Sequence, residues 1–185
     1  GADVINLSFT GFDEDPRLRG AVRAAYEAGV VVVAAMGNSD GGINIDDQPI
    51  YPSCYGERAD EDWVLGVAAT DENDERATFS NYGKTCTDIS APGNSIFSTV
   101  YQDDDWESFS NAYYQSGWAG TSMAAPMVAG AAALLKSYHS SLTPDDIKTI
   151  LRLAVDPVTA TGDAAGKMGA GRLNIATAIN LSDSF

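Results

Sequence analysis

The first part of the chain alternates between the hydrophobic periods of strands and of a helix. Residues 4–8 form a short apolar run that predicts a strand. Between Pro16 and Gly29, apolar residues recur at the spacing of an amphipathic helix, namely Leu18, Ala21, Val22, Ala25 and Ala28. Residues 30–35 are continuously apolar and mostly β-branched, as in a parallel strand covered on both faces. The pattern predicts a βαβ crossover and an α/β fold.

A long apolar helix is predicted in the second half of the chain. Residues 131–135 are all small or aliphatic, so this helix could be buried on nearly every side. Pro126 would fall in the first turn or just beyond it, where a missing N–H costs little. We therefore expect the helix to begin near Thr121, with Ser122 close to its N-terminus.

Three further elements follow from local signals. Thr143 and the proline after it predict a capped helix that runs to about Ala154. Residues 95–100 are typical of a strand, and residues 101–118 of a polar and aromatic loop.

Ser122 and Asn38 are the first candidates for chemistry. The unpaired N–H groups and the dipole at a helix N-terminus favour an anionic oxygen beside the Ser122 hydroxyl, which is half of an acyl-transfer site. Asn38 follows the apolar run 30–35, and ligands of open α/β sheets collect beyond the carboxyl ends of strands. The alternatives are small residues that serve only close helix packing, and an ordinary asparagine in a turn.

The stretch Gly-Thr-Ser-Met-Ala-Ala-Pro at residues 120–126, followed by Val-Ala-Gly at 128–130, closely resembles the nucleophile motif of the subtilisin-like serine proteases, the subtilases. Other segments resemble that family in the same order, namely residues 31–38, 51–53, 64–70, 76–83 and 88–93. The resemblance implies a three-layer α/β/α fold with a mainly parallel sheet and a central buried helix that starts near Ser122. It also implies that residues 1–185 are the carboxyl-terminal part of a single catalytic domain.

The resemblance assigns roles to several residues. Ser122 would be the nucleophile, and its N–H together with the Asn38 side chain would form the oxyanion hole. The substrate pocket would be lined by two segments, with Ile50 near its base, where a bulky side chain shortens it. The lining residues are Ser8, Phe9, Thr10, Ala35, Met36 and Gly37.

The resemblance implies a structural calcium more weakly. No metal is required for the chemistry itself. Asp88 falls where some subtilases bind calcium, together with carbonyl oxygens that align to Asp62 and Val64, and hard oxygen ligands suit that ion. A solvated aspartate near a turn is the alternative.

The base and its orienting carboxylate are not found in this sequence. The sole histidine, His139, lies 17 positions after Ser122 on the predicted helix. At 1.5 Å per residue the separation is about 25 Å, and Lys136 is about 21 Å away, so neither can act on Ser122. In the family the Asp and His motifs precede the strand that resembles residues 4–8. We therefore expect an upstream segment as partner, and an open sheet edge at residues 4–8.

Composition limits the remaining possibilities. The chain has 11 Lys and Arg against 26 Asp and Glu, and its net charge of −15 disfavours binding to nucleic acid or anionic membranes. Cys54 and Cys86 are either a disulfide or two buried thiols; the resemblance favours a disulfide and a secreted protein. Two functions compete: a serine endopeptidase acting on proteins or peptides, and a catalytically inactive remnant or binding module.

Overall fold

A computed structural model describes residues 1–56, 62–102 and 113–185. The strands are β1 (Val4–Leu7), β2 (Val31–Ala35), β3 (Val64–Thr70), β4 (Ile89–Pro92), β5 (Ile96–Thr99), β6 (Tyr114–Trp118), β7 (Val155–Asp156) and β8 (Arg172–Leu173). The helices are α1 (Pro16–Glu27), α2 (Thr121–Tyr138), α3 (Pro144–Leu153) and α4 (Ile175–Ser182).

A six-stranded sheet with helices on both faces confirms the predicted three-layer α/β/α fold. Within the described residues its order is β1-β2-β3-β4-β8-β7, and β7 is antiparallel to β8 while the other pairs are parallel. Val22 of α1 packs on one face with Val32 and Trp63. The opposite face meets α2, α3 and α4 in the largest apolar cluster. Alternate residues of each central strand thus enter different layers.

The predicted βαβ crossover is present. Asp15 caps α1 by accepting a hydrogen bond from the backbone N–H of Arg17 at 2.8 Å, and Pro16 occupies the first turn. β2 is buried along its whole length and pairs with β1 in parallel register from Val4 opposite Val31. The strand therefore delivers the chain to Asn38 at the carboxyl edge of the sheet.

Helix α2 begins at Thr121, as predicted, but it is not buried on every side. Its buried side chains include Ala124, Val128 and Leu135, whereas Gly130 and Leu134 are exposed, the latter by 44%. The sequence did not reveal this open face, because a helix made of small apolar residues has no polar stripe that would mark it. One face of α2 is therefore open in this structure.

Helices α3 and α4 each begin after a residue whose side chain caps the helix. Thr143 and Asp146 form a reciprocal capping box at the start of α3, which ends at Leu153, close to the predicted end. Asn174 caps α4 by accepting from the backbone N–H of Thr177 at 3.0 Å.

The predicted loop at residues 101–118 is partly wrong. Residues 114–118 form β6, which pairs with β5 in an antiparallel hairpin, and Phe97 stacks on Tyr114 with ring centroids 5.6 Å apart. Cross-strand aromatic pairing stabilises a strand whose own sequence is too polar to predict one. The rest of the predicted loop, residues 103–112, lies outside the described residues.

Strand β1 has an open edge, in agreement with the expectation for residues 4–8. In the described part of the chain β1 pairs with β2 and is the terminal strand of the sheet. Association through this edge stays a prediction. Among the helices that the structure describes, none is both long and apolar enough to cross a bilayer.

Cys54 and Cys86 form a disulfide, with their Cα atoms 5.1 Å apart. The bridge joins the segment after Ile50 to the segment that leads into β4. Gly66 of β3 lies directly beneath this second segment, since a Cβ there would lie within 1.9 Å of the Cys86 carbonyl oxygen. The disulfide thus holds a loop against the middle of the sheet.

Reduction of this disulfide is expected to lower the free energy of unfolding by about 3–4 kcal/mol, because a bridge across 32 positions restricts the unfolded chain. Urea unfolding with and without reductant measures the change. A Cys54→Ser/Cys86→Ser variant is the control and should not respond to reductant. An unchanged midpoint in the reduced protein would contradict the prediction.

Candidate active site

Ser122 occupies the second position of α2, after Thr121 and the N-cap residue Gly120. Gly120 has φ of +149°, a conformation that strongly favours glycine, and its N–H donates to the carbonyl of Gly93 at 2.8 Å. The Ser122 side chain is half-buried. In this first turn the N–H of Met123 donates to the Gly120 carbonyl at 2.9 Å and that of Thr121 donates to Asn38, which leaves the Ser122 N–H to bind an anionic oxygen.

Asn38 reaches the same helix terminus from the end of β2. Its Oδ1 accepts from the backbone N–H of Thr121 at 2.9 Å and from the Thr121 hydroxyl at 3.0 Å. Because both contacts are donors, they fix the carboxamide with Oδ1 toward the helix and leave Nδ2 to donate elsewhere. A Cβ added to Gly120 would lie 3.2 Å from this Nδ2 and 3.6 Å from the backbone nitrogen of Ser122. The two predicted oxyanion donors therefore border one small volume.

The loop that carries Asn38 is held by the neighbouring segment. Asn38 forms an antiparallel bridge with Ser80, and the N–H of Ser39 donates to the carbonyl of Phe79 at 2.9 Å. The Arg76 guanidinium in turn donates to the Ser80 carbonyl at 2.8 Å and to the Gly41 carbonyl at 3.1 Å. Arg76 thus ties both sides of the Asn38 loop together.

Ser8 and Ser122 form a reciprocal pair. The Ser8 hydroxyl donates to the Ser122 carbonyl at 2.9 Å, and the Ser122 hydroxyl donates to the Ser8 carbonyl at 3.1 Å. Ser8 lies immediately after β1, so this pair connects the first strand to the candidate nucleophile. The contact was not expected from the sequence, which gave Ser8 only a place in the substrate pocket.

The other predicted pocket residues divide into two groups. Phe9 and Thr10 are exposed, and the Thr10 hydroxyl would lie 3.2 Å from a Cβ at Gly37. The remaining side chains are covered: Ala35 (1% exposed) packs in the core beneath α2, while Met36 (0%) and Ile50 (3%) share a second cluster with the disulfide. These three side chains therefore reach no open cavity in this structure, and the pocket stays a prediction.

His139 and Lys136 lie at the far end of α2, as the sequence indicated. His139 is the C-cap residue, with its Nε2 3.2 Å from the Asp183 carboxylate. The Lys136 ammonium donates to the carbonyl of Leu142 at 2.6 Å. Neither side chain approaches Ser122, so the described residues of this chain provide no histidine base.

Asp88 belongs to a cluster of charged side chains between β4 and α3. Its Oδ2 accepts from the backbone N–H of Gly66 at 2.6 Å, and its Oδ1 contacts the Arg152 guanidinium. Arg152 also pairs with Asp62, which lies 3.2 Å from the buried Lys148 ammonium. Burial raises the pKa of the Asp88 carboxyl to about 6, although the Arg152 charge acts in the opposite direction.

This cluster does not fit the predicted calcium site. The Asp88 and Asp62 carboxylates already contact the Arg152 guanidinium, and Val64 is buried within β3. A calcium ion at Asp88 would have to displace that guanidinium. In the part of the chain that the structure describes, no three His, Cys, Asp or Glu side chains converge as metal ligands. Calcium stays a prediction that the local charges disfavour.

Sequence reasoning missed three residues that shape the site: Thr121, Arg76 and Ser8 in its contact with Ser122. Thr121 stands inside the motif, but its bond to Asn38 spans 83 positions. For the contact between Ser8 and Ser122, the sequence contained one local signal, namely Pro126. A proline four residues after Ser122 leaves the Ser122 carbonyl without its helical N–H donor.

The fold and this geometry define a class of α/β proteins in which a serine at a helix N-terminus meets a carboxamide at the carboxyl edge of parallel strands. The sequence model of the subtilase family matches residues 1–171. The chain therefore belongs to the subtilase family, as the resemblance predicted.

Relatives and solved structures agree with this assignment. Subtilisin DY of Bacillus licheniformis is 38% identical over 178 residues, which are 96% of this chain and 57% of that protein. Thermitase of Thermoactinomyces vulgaris is 37% identical over 97% of this chain and 54% of its own length. A protease structure from Pseudoalteromonas arctica superposes with a TM-score of 0.75 at 33% identity, over 98% of this chain and 51% of that one. The chain thus spans little more than half the length of these relatives.

Proposed function

We propose that this chain provides the nucleophile and the oxyanion donors of a serine endopeptidase that also requires an upstream segment. The observation that carries the proposal is the convergence of Ser122 and Asn38 at the N-terminus of α2. Membership of the subtilase family supports serine-type peptidase chemistry for this pair. Protein or peptide substrates follow from the same chemistry.

In this mechanism Ser122 Oγ attacks the carbonyl carbon of the scissile peptide bond. A histidine of the upstream segment accepts the hydroxyl proton, and an aspartate of that segment orients the histidine. The carbonyl oxygen becomes an oxyanion and accepts hydrogen bonds from Asn38 Nδ2 and the Ser122 N–H. The histidine then protonates the leaving amine, and water hydrolyses the acyl-enzyme. No calcium or other cofactor takes part in these steps.

The surfaces that an upstream segment could cover support its role as partner. β1 exposes one edge, and α2 exposes the face that contains Gly130 and Leu134. An upstream segment could pair with the edge of β1 and pack apolar side chains on the exposed face of α2, and would thereby cover both surfaces. The net charge of −15 argues against nucleic acid or anionic membranes as partners. The disulfide supports a secreted or extracellular location, since such bridges persist in oxidising compartments.

The distinguishing experiment is labelling by a serine-reactive fluorophosphonate. We expect the full-length protein to be labelled on Ser122, because only a serine with an adjacent base and an oxyanion hole reacts rapidly. Mass spectrometry of the digested protein identifies the modified residue. A full-length protein that stays unlabelled would instead indicate an inactive remnant or binding module, and a label on another serine would contradict the assignment of the nucleophile.

A further inference from the structure

Pro126 is the sixth residue of α2 and lies beyond the first turn, so, contrary to the expectation from the sequence, its missing N–H leaves a helical acceptor without a donor. In a regular α-helix the N–H of residue 126 would donate to the carbonyl of Ser122, but Pro126 has no N–H. The Ser122 carbonyl is therefore an orphan of the helix. An orphan acceptor in a half-buried position costs about 1–3 kcal/mol unless another donor satisfies it.

The Ser8 hydroxyl is that donor. It lies 2.9 Å from the Ser122 carbonyl oxygen, although the two residues are 114 positions apart in the chain. The Asn6 side-chain amide donates to the same hydroxyl oxygen at 2.9 Å. Because Asn6 Nδ2 can only donate, the Ser8 proton is directed to the Ser122 carbonyl.

We infer that Ser8 is a positioning residue whose hydroxyl replaces the N–H that Pro126 lacks and thereby fixes the backbone of the nucleophile. This rests on the proposed function, since it concerns the same Ser122. The hydroxyl sets the position of the first turn of α2, and with it both Ser122 Oγ and the Ser122 N–H. A displacement of these atoms by a fraction of an ångström lowers the rate of the chemical step more than it lowers substrate affinity.

The reciprocal bond from Ser122 Oγ to the Ser8 carbonyl is a separate contact, because it uses the Ser8 backbone. Ser8→Ala leaves that carbonyl in place and removes only the hydroxyl. The substitution therefore removes the bond to the Ser122 carbonyl together with the bond from Asn6 Nδ2, and keeps the bond from Ser122 Oγ.

A double-mutant cycle in the full-length protein tests the inference. Ser8→Ala is expected to lower kcat by about tenfold to a hundredfold with little change in KM. The reason is that the first turn of α2 is held less rigidly when the Ser122 carbonyl has no donor. In a Pro126→Ala background the N–H of the new alanine satisfies the Ser122 carbonyl. There the same Ser8→Ala change is expected to lower kcat by less than about threefold.

Ser184→Ala, at an exposed position just beyond α4, is the matched control and should leave kcat unchanged. Thermal unfolding of each variant verifies that it is folded. An equal loss of kcat in both backgrounds would overturn the inference, and so would a rise in KM at constant kcat, which would make Ser8 a substrate-binding residue only. If the unmodified protein fails to label with the fluorophosphonate, the proposed function fails first, and that outcome is visible before any variant is made.

Discussion

Replacement of Ser122 by alanine in the full-length protein is expected to abolish peptide hydrolysis, with a loss of about a millionfold in kcat. That magnitude is the one known for subtilisin, a member of this family, and it is adopted here from that relative. The physical reason is that Ser122 Oγ lies beside the oxyanion donors at the N-terminus of α2, while the neighbouring Thr121 hydroxyl already donates to Asn38 Oδ1 at 3.0 Å. Steady-state cleavage of a chromogenic peptide measures the loss.

Two controls make this result specific. Ser184→Ala removes a hydroxyl from an exposed position beyond α4 and should retain full activity. The Ser122→Ala protein should also stay folded with little change in its thermal unfolding midpoint, since it keeps the bond from the Ser8 hydroxyl to the carbonyl of residue 122 and loses only the bond from Ser122 Oγ to the Ser8 carbonyl. Normal turnover by Ser122→Ala would show that the nucleophile is a different residue.

The second large effect is expected for Asn38→Ala, which should lower kcat by about a hundredfold to a thousandfold while KM changes little. Loss of one oxyanion donor costs about 2.7–4 kcal/mol of transition-state stabilisation, again a value known for subtilisin and taken from it. In this structure Thr121 holds Oδ1 of Asn38, so Nδ2 is the atom left to bind the developing charge. The kcat and KM of a peptide substrate report the two contributions separately.

Asn180→Ala is the matched control, because Asn180 is an exposed asparagine on α4. It should leave both constants unchanged. A rise in KM with constant kcat for Asn38→Ala would mean that the side chain binds substrate in the ground state and does not stabilise the transition state. Retention of full activity would remove Asn38 from the site.

Local sequence signals were sufficient to predict most of the helices and strands. The apolar period between Pro16 and Gly29 and the continuous apolar run at residues 30–35 predicted α1 and β2, and the structure agrees to within a few residues. Capping chemistry did the same for α3 through Thr143. Such elements are predictable because their periodicity and caps depend on residues only a few positions apart.

Hairpin β5–β6 and the exposed face of α2 were not predictable in this way. The strand at residues 114–118 depends on its partner across the hairpin, where Tyr114 stacks on Phe97. The open face of α2 depends on which other elements cover it. Neither property is encoded in the residues of the element itself.

The resemblance to the subtilases implied the pairing of Ser122 with Asn38, whereas the sequence pattern by itself determined the α/β fold, the start of α2 near Thr121 and the places of both residues as candidates. It did so because a helix N-terminus and the carboxyl end of a parallel strand are both readable from short patterns. The motif of residues 120–126 also carried the correct family.

Only the tertiary structure decided how these residues are held. The Thr121 bonds that orient Asn38 span 83 positions, and the Ser8 bond to the Ser122 carbonyl spans 114. Likewise, the contact of Arg152 with Asp88 spans 64 positions and gives the predicted calcium carboxylate a guanidinium partner. Contacts over such distances have no local period or cap to reveal them, because they form only when the sheet brings separate crossovers to one edge.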